Sequence, residues 1–151
     1  MLNEALFSSD RMDWETPKEL FDHWNKLFDF NLDVCALPHN AKCKKFFTPE
    51  DDGLAQDWVG NRCWMNPPYG KDIVKWVRKA SEEAKKGALV VALLPARTDT
   101  AWFHNYVLPY AQITFLRGRV KFVGGTSGAP FPSIIAQYFP IVEVDQNLFI
   151  A

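Results

Sequence analysis

The chain has 151 residues, 48% of them apolar and 23% charged, with a formal net charge of −1, as expected of one globular domain with a substantial core. That balance excludes a strongly electrostatic nucleic-acid binder, although the Lys42, Lys44 and Lys45 cluster leaves a local basic groove open. No apolar run approaches the ~20 residues of a membrane span, the start Met1-Leu2-Asn3-Glu4 is unlike a signal peptide, and three cysteines without CxxC spacing indicate neither disulfides nor zinc.

A cytosolic protein with reduced thiols is therefore the default expectation, and residues 1–151 read as a single domain with residues 1–13 loosely ordered. Thr16-Pro17 opens the first helix: Thr16 is placed to cap, Pro17 suits the first helical position, and Glu19 follows Thr16 at capping-box spacing. Leu20, Phe21, Trp24, Leu27 and Phe28 then repeat at helical intervals. Phe30 to Ala36 reads as a short strand with Asp33 near its end, Leu37 to Ala41 as a turn, and Lys45 to Thr48 as a second short strand. After a break at Pro49 to Gly53, Asn61 to Met65 forms a strand that runs into Asn66-Pro67-Pro68-Tyr69.

Ile73, Val74, Trp76, Val77 and Ala80 mark an amphipathic helix that closes near Gly87. Ala88 to Leu94 is an unbroken apolar run ended by Pro95, as a strand covered on both faces requires. A helix around Asp99 to Val107 follows, with Asp99 as its cap. Two closing strands come last, Gln112 to Phe122 (along which Arg117, Arg119 and Lys121 alternate) and Ser133 to Phe139, separated by the loop Gly124 to Pro132. Strands alternating with helices and then paired in succession give an α/β sheet with a terminal antiparallel hairpin. Trp58, Trp64 and Trp76 are expected in its core.

The chemistry concentrates at Asn66-Pro67-Pro68-Tyr69. The exocyclic amine of a flat heterocycle is a poor nucleophile, because its lone pair is delocalised into the ring. A side-chain amide oxygen (Asn66) and a backbone carbonyl (Pro67) can each accept one N–H and free that lone pair. The prolines give a stiff turn whose carbonyls stay where they are set, and Tyr69 supplies an aromatic face for a base. Asn-Pro and Pro-Pro are also ordinary turn signals. However, ligands of α/β sheets bind beyond the carboxyl ends of the strands. Asp33, the acidic Glu50 to Asp52 stretch, Asn66 and Pro95 all fall at such ends, and so are expected along one rim.

Taken in order, Trp14-x-Thr16-Pro17, Leu32-Asp33-x-x-Ala36, Asp52-Gly53-Leu54, Asn66-Pro67-Pro68-Tyr69-Gly70, Leu94-Pro95-Ala96-Arg97-Thr98-Asp99-Thr100 and Arg117-Gly118-Arg119-x-x-Phe122 resemble the phage-type DNA N6-adenine methyltransferases. The resemblance covers about Trp14 to Phe139. It implies a compact, shortened Rossmann-like methyltransferase sheet, S-adenosylmethionine as cofactor, DNA as partner, no metal, and a phage or prophage protein in the cytoplasm of a bacterial host. Trp14, Thr16, Pro17, Asp33, Ala36, Asp52 and Leu54 then match cofactor-site positions: Thr16-Pro17 at the methionine end, Asp33 facing the ammonium, Asp52 accepting from the cofactor's adenine amine, and Leu54 packing on that ring. Asn66, Pro67, Pro68 and Tyr69 match the catalytic loop. Phe122 is the candidate second wall on a flipped base, and Arg97, Arg117 and Arg119 are candidates for phosphate contacts.

Two features depart from the wider methyltransferase pattern. The stretch after the first strand, Ala36-Leu37-Pro38-His39-Asn40, has no glycine, and about thirty residues separate Asp33 from Asn66, leaving a helix and a strand of the usual sheet in question. Direct in-line methyl transfer needs no covalent intermediate, and Cys35, Cys43 and Cys63 lack the setting of an activated nucleophile, which argues against cysteine-dependent cytosine chemistry. RNA adenine, the side-chain amide of protein glutamine, and a nucleic-acid-binding remnant without activity are the alternative readings. With no separate target-recognition domain, weak intrinsic sequence specificity is expected, supplied by loops such as Gly124 to Pro132 or by a second copy in a homodimer.

Overall fold

A computed structural model describes residues 14–125 and 127–141; the expected looseness of residues 1–13 lies outside them. Helix α1 (Lys18–Phe28) turns Phe21 and Trp24 inward and stops where Asp29 adopts a left-handed conformation, φ 50°, its N–H donating to the Asn25 carbonyl. The expected capping box does not form. Pro17 occupies the cap position with no side-chain hydrogen bond, its carbonyl accepting from the Phe21 N–H at 3.2 Å. The Thr16 hydroxyl is instead engaged by a residue 50 positions away.

Strands β1 (Leu32–Asp33), β2 (Lys45–Phe46), β3 (Arg62–Met65), β4 (Leu89–Pro95), β5 (Gln112–Phe115) and β6 (Ser133–Tyr138) form one six-stranded sheet in the order β2-β1-β3-β4-β6-β5. The first four strands are parallel. Strand β6 runs antiparallel to both β4 and β5. Helix α2 (Ile73–Lys86) links β3 to β4 and closes at Gly87, φ 117°. The architecture is mixed α/β.

Both faces of the sheet are covered. Along β3 successive side chains point to opposite faces, and both Cys63 and Trp64 are buried. Phe21 of α1 meets the Trp64 ring at 5.4 Å, so α1 lies on that face. α2 buries Ile73, Trp76, Val77, Ala80 and Ala84 and packs along β4 and β6. β4 is buried at every position but its first, as its apolar run requires. Trp58, Trp64 and Trp76 are buried, as expected.

Three elements differ from expectation. The strand expected over Gln112 to Phe122 ends at Phe115. Gly118, φ 75°, turns the chain out of the sheet, and the rest of the segment bonds to non-sheet partners, Val123 N–H to the Glu15 carbonyl and Ala129 N–H to the Val120 carbonyl. Arg117, Arg119 and Lys121 therefore lie in a loop. The helix expected from Asp99 contains a wide π-type turn at Phe103–Val107, and Thr100 rather than Asp99 caps its start, its hydroxyl accepting from the Phe103 N–H at 3.3 Å. Finally, β1 and β2 are parallel although the 34–44 connection between them has only turns and bends. Parallel connections usually carry a helix; here Asp33 organises the loop instead, its two carboxylate oxygens accepting from the Cys35 and Lys42 N–H groups at 3.3 and 3.0 Å.

The strand order fixes where a ligand can sit. From β1 the chain moves outward to β2, returns to β3 on the other side of β1, and continues in the opposite direction to β4. The reversal opens a crevice between the carboxyl ends of β1 and β3. Asp33 ends β1 and Asn66 follows β3.

Candidate active site

A cavity of about 610 Å³ occupies that crevice, walled by Asp33, Asn66, Pro67 and Pro68 together with Trp14, Thr16, Ala36, Phe47, Trp64 and Trp76. Its size falls within the range of pockets that hold cofactors and other small molecules. At its floor Asp33 is 3% exposed. Burial pushes its carboxyl up to about 6, against the lowering effect of the Lys42 and Cys35 N–H groups and the Lys42 charge. A buried carboxyl held in that range is suited to receive a cationic ligand group, whose charge would restore full ionisation.

Asn66 is arranged as an acceptor. Its amide nitrogen donates to the Trp14 carbonyl and, at 2.9 Å, to the Thr16 hydroxyl. Its amide oxygen is buried with no hydrogen-bond partner among the described residues. An orphaned buried acceptor costs about 1–3 kcal/mol, so it calls for a donor from a ligand. Pro67 is buried and Pro68 half-buried beside it, both on the cavity wall.

The acidic stretch resolves into separate roles. Asp51 is used locally, one oxygen accepting from both the N–H and the hydroxyl of Thr48, at 2.9 and 3.0 Å. Asp52 lies on the cavity wall in a left-handed conformation, φ 54°. Gly53 follows because nothing larger fits: a Cβ there would stand 2.3 Å from the Val34 carbonyl oxygen. Leu54 packs against the core beneath. Pro95, Leu54 and Pro17 are not part of the cavity wall, whereas Trp14, Thr16, Asp33, Ala36 and Asp52 are.

Tyr69 stands apart from the cavity. Its side chain is fully buried, and its hydroxyl donates to the Leu93 carbonyl at 3.0 Å. Burial drives the phenol pKa upward, so it remains a neutral donor. Its ring meets Phe131 at 5.7 Å and Phe122 at 6.4 Å, and both of those meet Trp14, at 5.2 and 5.1 Å. Phe122 is 3% exposed and belongs to this closed cluster. In this conformation neither Tyr69 nor Phe122 offers an open face. Arg97 lays its guanidinium 5.8 Å from the centre of the Phe131 ring, Arg119 donates to the Ala129 carbonyl at 3.2 Å, and Arg117 is exposed. These arginines border the 117–132 loop and not the cavity.

Sequence reasoning missed Phe131 and the Trp14 carbonyl. Phe131 stands between two prolines in a stretch that reads only as loop, and a backbone acceptor leaves no trace in side-chain identity. Burial pushes the Cys35, Cys43 and Cys63 thiols up to about 12, away from the thiolate a nucleophile requires. Among the described residues no group of His, Cys, Asp and Glu is placed to hold a metal, and no helix is long and apolar enough to cross a membrane.

The family model described as DNA N-6-adenine-methyltransferase (Dam) matches residues 4–134. The chain belongs to this family. It is 37% identical over 123 residues to a DNA N-6-adenine-methyltransferase of Haemophilus phage HP1, covering 80% of this chain and 71% of the relative. It is 30% identical over 132 residues to the DNA N-6-adenine-methyltransferase of Escherichia phage T1, covering 76% of this chain but 55% of that one. A third relative, the putative methyltransferase YfdM of Escherichia coli, is 40% identical over 63 residues, 37% of this chain.

Proposed function

We propose that the chain transfers a methyl group from S-adenosylmethionine to the exocyclic N6 amine of adenine in DNA. The observation that carries the reading is Asn66 at the switch-point cavity, with an amide oxygen that is buried and has no partner among the described residues. When bound, the cofactor supplies an electrophilic methyl on a sulfonium sulfur. The residues fit such a ligand. Asp33 holds a buried carboxyl for its ammonium, Trp14, Thr16 and Ala36 line the adjoining wall, and Asp52 presents an acceptor at the lip with Leu54 supporting the turn from below. Pro17 contributes by fixing the start of α1. The whole is read as a shortened Rossmann-like sheet closed by the β5–β6 hairpin.

At the reacting amine the chain's work is orientation and hydrogen bonding. Asn66 Oδ1 would accept one N–H and the Pro67 carbonyl the other, drawing the nitrogen's lone pair out of conjugation with the ring; as the N–C bond forms, the methyl's C–S bond would break onto sulfur and the surplus amine proton would leave to water. Holding two reactants in line contributes several kcal/mol without further chemistry. In a duplex the adenine must leave the stack, at a cost of a few kcal/mol. To lie against Tyr69 it must also displace Phe122 and Phe131, so the 117–132 segment is the gate for the base. Arg97, Arg117 and Arg119 at that gate are the phosphate contacts. We place the reaction in the bacterial cytoplasm, where the DNA lies.

The test separates substrate classes. Unmethylated duplex DNA, RNA and a glutamine-containing protein are each incubated with methyl-labelled cofactor, and the DNA and RNA are digested to nucleosides. Label in N6-methyldeoxyadenosine supports the reading. Label confined to RNA or protein, or cofactor binding with no transfer at all, contradicts it.

A further inference from the structure

Asn66 carries an orientational problem that its own chemistry does not solve. A carboxamide has an accepting end and a donating end of nearly equal shape, and turning it by 180° exchanges them. Only one orientation suits an amine substrate. The other would present NH2 to the reacting position and suit a base edge that bears a carbonyl.

Two groups brought from the start of the chain decide the matter. The Trp14 carbonyl can only accept, so the end of Asn66 that faces it must be nitrogen. The Thr16 hydroxyl takes the second amide hydrogen at 2.9 Å. Thr16 is 2% exposed, and its hydroxyl is not used to cap α1. With both amide hydrogens held, the oxygen of this cavity-lining residue is left buried and unpartnered among the described residues. The residues that fix the catalytic amide thus lie 50 and 52 positions before it in sequence, on the segment that leads into α1.

We propose that the Trp14 carbonyl and the Thr16 hydroxyl are a positioning pair that commits Asn66 to accepting, and so selects a base edge bearing an amine over one bearing a carbonyl. Thr16 then acts on the reacting nitrogen through Asn66, beyond any contact it makes with the cofactor. Three consequences follow. Thr16→Val keeps the shape and removes the acceptor. Thr16→Ser keeps the acceptor and removes a methyl. Asn66→Asp keeps an oxygen toward the substrate but turns a second oxygen onto the Trp14 carbonyl, where acceptor meets acceptor.

The proposal rests on the methyltransferase reading, and the experiment separates the two. With duplex DNA and methyl-labelled S-adenosylmethionine, Thr16→Val is expected to lower kcat about 5- to 100-fold, the range for one unsatisfied buried donor, a larger factor than any loss in calorimetric cofactor affinity. Thr16→Ser recovers most of that loss, and Asn66→Asp is at least as impaired as Thr16→Val. A Thr16→Val variant that loses cofactor affinity but keeps kcat would make Thr16 a cofactor contact and overturn the proposal. So would equal losses in Val and Ser. Independently of activity, nitrogen-15 NMR should show the Asn66 side-chain NH2 exchanging slowly with solvent in wild type and faster in Thr16→Val. Fast exchange in wild type refutes the clamp even if methyl transfer stands. Slow exchange with no transfer to DNA keeps the clamp and sinks the substrate reading.

Discussion

Asp33 has two tasks that pull on its ionisation. It staples the glycine-free β1–β2 loop through two backbone N–H groups, and it faces the cavity where a cationic ligand group would sit. Burial raises its pKa to about 6 from an ordinary 3.8. Between those values the folded chain binds the proton and the unfolded chain does not, so this residue's contribution to stability increases as pH falls through 6 and levels off below 3.8. The full effect is worth about 3 kcal/mol, of which about 1 kcal/mol falls between pH 7 and 5, and it should appear there as a rise in the melting temperature of the free protein relative to Asp33→Asn. Cofactor affinity should move the opposite way, about tenfold weaker at pH 5 than at pH 7 by calorimetry. An affinity flat across that interval would remove Asp33 from the ligand's charged end. Gly53 is constrained more simply. With a Cβ placed 2.3 Å from the Val34 carbonyl oxygen, Gly53→Ala must push the Asp52 turn away from β1, at a cost of about 1–3 kcal/mol readable in the denaturant midpoint.

At the scale of elements, the proposed function makes the 117–132 segment the gate through which a base reaches Asn66. It is tied to the body through the Val123 N–H to Glu15 and the Ala96 N–H to Pro132, and its Phe122 and Phe131 close over Tyr69. Hydrogen exchange at Val123 and Ala129 should accelerate when adenine-containing DNA and cofactor are both present. Transfer that proceeds with these amides still protected would mean that the base arrives by another route. This segment is also where sequence reading went wrong. Arg117, Arg119 and Lys121 alternate with apolar residues as a half-buried strand would, but the alternation here reflects a loop folding its Phe122 inward after the Gly118 turn. By contrast β4, β6 and α2 were legible, because burial on both faces or along one stripe imposes its period directly on the residues. The place of Asn66-Pro67-Pro68 on the crevice rim was legible too, because these residues follow β3 directly. The orientation of Asn66 was not, since it depends on Trp14 and Thr16, and the capping-box spacing at Thr16 pointed to a local partner when the real one is distant.

For the molecule as a whole, a net charge of −1 limits what electrostatics can contribute. If Arg97, Arg117 and Arg119 are the phosphate contacts, the logarithm of DNA affinity should fall with the logarithm of salt concentration at a slope of about −3 or shallower. A slope near −8 would require a basic surface that these residues do not supply, such as one assembled from two copies of the chain. In the proposed reading the cofactor cavity and the gate for the base lie on either side of Asn66-Pro67-Pro68-Tyr69: Pro67 and Pro68 are on the cavity wall, and Tyr69 lies under Phe122 and Phe131. That division places both partners of the reaction against one short turn and leaves the rest of the sheet to hold it rigid.

The most direct measurement is a single-turnover assay with methyl-labelled S-adenosylmethionine and unmethylated duplex DNA, comparing wild type with Asn66→Ala after both are shown to bind cofactor equally. The account predicts label at adenine N6 with the wild-type chain and a loss of at least about 100-fold with the variant, the scale of removing one well-placed hydrogen-bonding group at a reacting atom. Equal transfer by the two proteins would contradict it, because the buried oxygen of Asn66 would then have no part in the chemistry.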